Sequence, residues 1–245
     1  MAGWVKIIER AYKRQLRRIR RNVALWQIPF RPAGRRWKSA LSYPALENLQ
    51  KGALQYRYRG MPMLKNPIEV ALYYELFWLA KPRTVIEIGS YLGTSALWFS
   101  DILKTFDIEG QVISIDIDVP SPSWRRDNVR FLRGDAHALS EVLSESLLSA
   151  LPRPLLVIED STHRPETTVA VLEFFHPHLA SGEFIIIEDA LVTDLGVAHH
   201  FGGGPGLGIS QFLSKHAGDY DIVSDLCDRY GHNVTGNPNG YLRKR

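Results

Sequence analysis

Between residues 67 and 188 the chain alternates short β-branched runs with helical stretches, and that order leaves few folds open. Pro67 opens a helix over 67–80 (PIEVALYYELFWLA), apolar at helical spacing. Strands are predicted at 84–88 (TVIEI), 111–117 (QVISIDI), 129–133 (VRFLR), 154–159 (PLLVIE) and 183–188 (EFIIIE). Helices are predicted at 94–106, 136–149 and 166–179, then 209–217, with short strands near 221–224 and 240–243. Strands that are almost wholly apolar must be buried on both faces, which means a mostly parallel, doubly wound α/β sheet covered by helices. In such sheets ligands bind beyond the carboxyl ends of the strands, so the residues just after each strand carry the functional information.

Those residues are acidic and glycine-rich. The first strand runs into Glu87-Ile88-Gly89-Ser90-Tyr91-Leu92-Gly93, with Thr94 opening the next helix. Gly89 permits a tight turn and Gly93 a close approach of backbone to ligand. The spacing is not that of a dinucleotide-binding loop, and Glu87 would repel a pyrophosphate; it suits a cationic group such as an amino-acid ammonium. The second strand ends in Asp116-Ile117-Asp118, where an acid can accept both ribose hydroxyls of a nucleoside, with Asp116 preferred over Asp118. The third ends in Gly134-Asp135-Ala136-His137, where Asp135, with Ala136 beside it, can meet an adenine amino group or cap the following helix.

The fourth strand ends in Asp160-Ser161-Thr162-His163 and the fifth in Glu188-Asp189. Adjacent strand ends bring Asp160, Glu188 and Asp189 together, and three uncompensated carboxylates repel one another. A divalent cation resolves the repulsion, and an all-carboxylate set favours Mg²⁺ or Mn²⁺. His163, in the loop above, is placed to take a proton from an acceptor hydroxyl. Glu159 points away from Asp160 by strand alternation. The glycine-rich stretch 194–208 is expected to form a loop over the pocket, and loops of this kind act as lids.

The quoted stretches resemble the cephalosporin hydroxylase/rhamnosyl O-methyltransferase family, a branch of the metal-dependent class I methyltransferases. The likeness spans roughly residues 55–245. It rests on VIEIGSYLGTSALWFSDI (85–102), VIEDSTH (157–163), GEFIIIEDA (182–190), GPGLGISQFL (204–213) and the NPNGYLRKR tail (237–245). It implies a Rossmann-like methyltransferase fold, S-adenosylmethionine as cofactor, Mg²⁺ at Asp160, Glu188 and Asp189, and His163 as base. The implied acceptor is a small hydroxylated molecule: a sugar, a glycolipid or a polyketide-like product. A hydroxylase on the same fold, and a cofactor-binding scaffold without activity, are the rival readings.

Charge divides the chain. Residues 1–38 hold twelve Lys or Arg and one acid, a net of +11; since the whole chain is +4, residues 39–245 carry −7. The methyltransferase unit is therefore read as residues 39–245, and its acidic balance argues against nucleic acid as partner. Residues 4–26 read as a helix with Trp4, Ile8, Tyr12, Leu16 and Ile19 at helical spacing among eight basic residues, ended by Pro29, Pro32 and Gly34 in a linker over 29–37. Such a helix suits an anionic membrane surface, an arm packed on a second subunit in a homo-oligomer, or a targeting segment. The single cysteine, Cys227, excludes an intrachain disulfide and points to a reducing, cytoplasmic setting.

Overall fold

The computed structural model describes residues 2–26, 28 and 35–245. The expected linker falls largely on residues 29–34, outside the described ones. Helix α1 (Ala2–Trp26) precedes α2 (Tyr43–Ala53), a two-residue hairpin of β1 (Arg57–Tyr58) and β2 (Met61–Pro62), and α3 (Pro67–Ala80). Neither α2 nor the hairpin was expected from the sequence. Then come β3 (Thr84–Ile88), α4 (Thr94–Thr105), β4 (Gln111–Asp116), β5 (Val129–Arg133), α5 (Glu145–Ala150), β6 (Leu155–Glu159) and α6 (Pro165–Phe175). The chain closes with β7 (Phe184–Ile187), α7 (Pro205–His216), β8 (Tyr220–Ile222), α8 (Ser224–Cys227) and β9 (Tyr241–Lys244).

The main sheet has strand order β5-β4-β3-β6-β7-β9-β8, with β9 antiparallel to both neighbours and the other pairs parallel. After β5 the chain crosses to the far side of β3, so the order reverses between β3 and β6. The carboxyl ends at that switch point open a crevice. Every residue of β3, β6 and β7 is buried. One face packs on α3 and α4 through Leu76, Phe77, Trp98 and Phe99, the other on α6 and α7 through Leu172, Phe175, Ile209 and Phe212. Each such side chain stabilises by about 1.5–3 kcal/mol relative to exposure.

Two expectations fail in instructive ways. The helix expected over 136–149 is a single 3-10 turn at Leu139–Glu141 followed by α5, because Ser144 caps a fresh start by accepting from Leu147 N at 3.2 Å. The expected lid over 194–208 is mostly ordered, compact chain. Thr193 and Asp194 are buried, residues 198–201 form a 3-10 turn, and α7 begins at Pro205. Its glycines serve packing: a Cβ on Gly208 would lie 2.7 Å from Thr168 Cβ of α6.

Helix α1 docks on its own chain. Arg21 forms a buried ion pair with Asp194 at 2.6 Å, Arg14 and Arg17 meet Glu47 of α2, and Arg20 approaches His199 at 2.9 Å. A Cβ on Gly196 would lie 2.2 Å from the Arg17 carbonyl oxygen, so helix and turn touch backbone to backbone. Among the described residues no helix is long and apolar enough to cross a membrane.

Candidate active site

Two adjoining clefts open at the switch point, sharing Gly89, Tyr91, Asp160 and Ser161 as their common wall. The larger, 520 Å³, runs along the ends of β4 and β5, where Asp116, Asp118, Asp135 and Ala136 line it as the sequence predicted. Asp116 also fixes the turn after β3. Its Oδ2 accepts from Ser90 N (2.7 Å) and Tyr91 N (3.0 Å), and its Oδ1 from Asp118 N (3.0 Å). Asp135 accepts from His137 N at 2.8 Å, a local cap that leaves the residue at the cleft.

Gly89 has φ +100°, and a Cβ there would lie 2.1 Å from the Asp160 carbonyl oxygen, so only glycine lets the ends of β3 and β6 come this close. Two predicted residues stand apart from the clefts. Gly93 is left-handed (φ +74°) and faces the Phe131 ring, with a hypothetical Cβ 2.8 Å from Phe131 Cζ; its need for glycine is steric packing and not ligand approach. Glu87 lies beneath the clefts, 1% exposed, with its carboxylate accepting from the Ser114 hydroxyl. Burial pushes that carboxyl up to about 7, only partly offset by hydrogen bonds from Ser114 and Ser95. Ser90 is buried, its hydroxyl 2.6 Å from that of Ser114, and Thr94 Oγ1 is buried without a hydrogen-bond partner.

The smaller cleft, 230 Å³, holds the acidic residues. Asp160 follows β6, and Glu188 and Asp189 follow β7. Asp189 takes a left-handed conformation (φ 54°), as does His163 (φ 55°), conformations that cost a non-glycine residue energy and concentrate at functional sites. Asp189 is further held by its own N–H donating to Asn237 Oδ1 at 3.1 Å. Ligand atoms of Asp160, His163 and Asp189 all lie within 4.8 Å of one another. His163 Nε2 is 3.4 Å from Asp189 Oδ2, its ring packs edge-on against Phe201, and its Nδ1 is buried without a partner.

Glu188 lines the same cleft from deeper in the protein. It is buried, accepts from the Tyr73 hydroxyl and forms an ion pair with Lys65, whose ammonium also reaches Asp160 Oδ2 at 2.8 Å. Sequence reasoning missed Lys65, Glu69 and Tyr73. The visible signal was the capping box just after Lys65: Asn66 Oδ1 accepts from Glu69 N (3.0 Å) and Glu69 Oε2 from Asn66 N (3.0 Å), which fixes the start of α3 and so aims Lys65. Burial disfavours charge on Lys65, but the carboxylates of Asp160, Glu188 and Glu69 outweigh it and hold the ammonium well above its ordinary range. Burial likewise opposes charge on Asp160, yet Lys65 and His163 keep it below the usual carboxylate range. Burial and the charge of Asp160 drive Glu188 well above that range. Glu159 points into the protein and accepts from Ser161 N at 3.2 Å, as strand alternation predicts.

The donor set fits a hard divalent cation. Asp160 and Asp189 present oxygens at the mouth of the cleft, the acids outnumber the single buried ammonium, and His163 is orphaned at Nδ1. His199 and His200 stack on each other at 3.9 Å near α1 and do not line either cleft.

A family model described as Rhamnosyl O-methyltransferase/CmcI matches residues 50–245. A rhamnosyl O-methyltransferase of Mycobacterium leprae is 27% identical over 190 residues, which are 76% of this chain and 82% of that protein. One from Mycobacterium bovis is 26% identical over 190 residues, 76% of each. Among solved structures, CmcI with Mg-SAM superposes with a TM-score of 0.62 at 28% identity, covering 78% of this chain and 77% of that one. The MycE methyltransferase with Mg, SAH and mycinamycin VI shares the fold, at a TM-score of 0.50 and 18% identity over 81% of this chain and 54% of that one.

Proposed function

We infer that this chain, which belongs to the Rhamnosyl O-methyltransferase/CmcI family, is an S-adenosylmethionine-dependent O-methyltransferase that uses a divalent cation to methylate a hydroxyl of a sugar, glycolipid or polyketide-like product. The observation that carries the reading is the convergence of Asp160, His163 and Asp189 beside a cleft rimmed by Asp116 and Asp135. The catalytic unit is residues 39–245, with 1–38 as an appended segment.

In the larger cleft Asp116, backed by Asp118, binds the ribose hydroxyls of the cofactor, and Asp135 with Ala136 faces the adenine. Gly89, Ser90 and Thr94 border the turn against which its methionine end lies. Asp160, Glu188 and Asp189 would hold Mg²⁺, which would replace at Glu188 the charge balance that Lys65 supplies in the structure. When bound, S-adenosylmethionine supplies an electrophilic methyl group and Mg²⁺ supplies Lewis acidity that eases loss of a hydroxyl proton. His163 takes that proton at Nε2, where Asp189 Oδ2 stabilises the resulting imidazolium. Help of this kind is worth about 10²–10⁴ in rate. The ordered 190–208 segment, with Phe201 against His163, excludes water from one side.

The test is calorimetric titration of S-adenosylhomocysteine with Mg²⁺ present, followed by methyl transfer to a panel of rhamnosylated and macrolide-type acceptors. One-to-one binding and transfer that EDTA abolishes are the expected results. Folded protein that binds no S-adenosylhomocysteine overturns the reading, and transfer insensitive to EDTA removes the cation from it.

A further inference from the structure

Helix α1 is docked through its arginine face and leaves its apolar side largely open. The docked face uses Arg14, Arg17 and Arg21, tied to Glu47, Tyr43 and Asp194. Tyr12, Ile19 and Val23 recur at helical spacing and are 63%, 52% and 52% exposed, Ile19 and Val23 forming one wall of an open 360 Å³ cleft against Gly196, His199 and Leu207. Together with Leu16 between them they form an apolar stripe along the helix. Exposed Lys6, Lys13 and Arg20 flank the stripe on one side and exposed Arg18 on the other. Beside the helix, a cleft of 670 Å³ against α2 is lined by Arg10, Lys13, Arg14, Arg17 and Lys51, with Glu47 as its single acid.

A globular domain gains nothing by leaving apolar side chains exposed along a helix whose opposite, charged face is tied to the domain through Glu47 and Asp194. We propose that α1 seats this chain on an anionic lipid bilayer, with Tyr12, Ile19 and Val23 entering the acyl boundary and the flanking Lys6, Lys13 and Arg18 meeting lipid phosphates. An apolar stripe with cationic flanks is the pattern of a helix lying in the plane of a membrane interface. Charge selects this occupant over a second copy of the chain. Residues 1–38 carry +11, so two such helices laid stripe to stripe would repel, whereas a bilayer bearing phosphates complements them. A nucleic acid would satisfy the basic side chains but leave the apolar stripe without a role.

The test uses the full chain and two sets of vesicles, one of phosphatidylcholine alone and one with about a third phosphatidylglycerol. The chain is expected to co-sediment with the anionic vesicles only, and to be released as sodium chloride is raised. Lys6→Gln, Lys13→Gln and Arg18→Gln are each expected to weaken partitioning about fivefold, the equivalent of about 1 kcal/mol per basic side chain at the surface. The double variant Ile19→Asp/Val23→Asp is expected to lose partitioning by more than about tenfold while keeping wild-type affinity for S-adenosylhomocysteine, which reports an intact fold. Four results overturn the proposal. They are equal binding to both vesicle types, binding undiminished by the aspartate pair, release by inorganic phosphate beyond that by chloride at equal ionic strength, and a wild-type dimer that the aspartate pair turns into monomer.

Discussion

Replacing Glu87 by glutamine should make the ligand-free protein more stable, and increasingly so as pH rises. Glu87 is sealed under the clefts and its carboxyl is raised by burial from 4.5 to about 7. The native state therefore binds this proton more tightly than the unfolded chain. Between those two values the unfolded state releases it first, and stability falls as pH rises through the window. With one pH unit worth 1.36 kcal/mol, the full cost of ionising Glu87 in the fold approaches about 3 kcal/mol above neutrality. Between about pH 5 and pH 8 the integrated change is about 2.5 kcal/mol. Glutamine cannot ionise, and its carbonyl still accepts from the Ser114 hydroxyl. Other raised carboxyls, Glu69 and Glu188 among them, slope the same way in both proteins and cancel in the difference. Urea denaturation of both proteins across that range, without Mg²⁺ or cofactor, should give a stability difference that grows with pH by about 2.5 kcal/mol, or roughly 5–10 °C in Tm. A difference that stays flat with pH would refute the claim that Glu87 is buried in a form that resists ionisation.

His163→Ala should lower methyl transfer by about 10²–10⁴ while S-adenosylhomocysteine binds as before, and a matching loss of cofactor affinity in calorimetry would contradict its role as base. Asp160→Asn removes one charge from the acidic cleft and should weaken Mg²⁺ binding by about tenfold or more, read by calorimetry on the cofactor-bound protein. Gly89→Ala forces a Cβ to within 2.1 Å of the Asp160 carbonyl at φ +100°, so the variant should lose about 3 kcal/mol or more of stability in urea titration; unchanged stability would show that β3 and β6 can part. Arg21→Ala strands the buried Asp194 carboxylate and should cost about 3–5 kcal/mol, seen as a lowered Tm, unless α1 is not docked in solution.

Much of the fold was legible because the strands are buried on both faces and thus wrote themselves as uninterrupted apolar runs. Residues 84–88 and 129–133 match their strands end to end, and the other parallel strands differ by a residue or two at the ends. Helices were less legible where local chemistry competes with periodicity. Ser144 restarts a helix within an apolar pattern, and Pro205-Gly206-Leu207-Gly208 looks like loop although it is the first turn of α7, its Gly208 admitting Thr168 of α6. At the site, the acids were readable from the rule that ligands gather at strand ends, and Asp116, Asp135, Asp160 and Asp189 all stand at the clefts. Glu87 lies beneath the clefts because its side chain turns inward to the Ser114 hydroxyl, a direction that a position before a turn does not fix. Lys65 was invisible because a lone lysine in a loop carries no spacing, and only the three-dimensional return of α3 toward β7 brings it to Glu188.

Strand β9 lies between β7 and β8, and the loop leading into it supplies Asn237 to the backbone of Asp189. Residues more than forty positions downstream thus complete a corner whose acids come much earlier. On a ribosome, where segments emerge in order, the residues lining the larger crevice, from the ends of β3, β4, β5 and β6, are all made while the corner holding Asp189 is still open on one flank. A nascent chain would then be able to grip a nucleoside well before it could do anything with it. Binding competence and turnover competence would arrive as two separate events in the birth of the molecule, divided by the time taken to translate the span from β6 to β9.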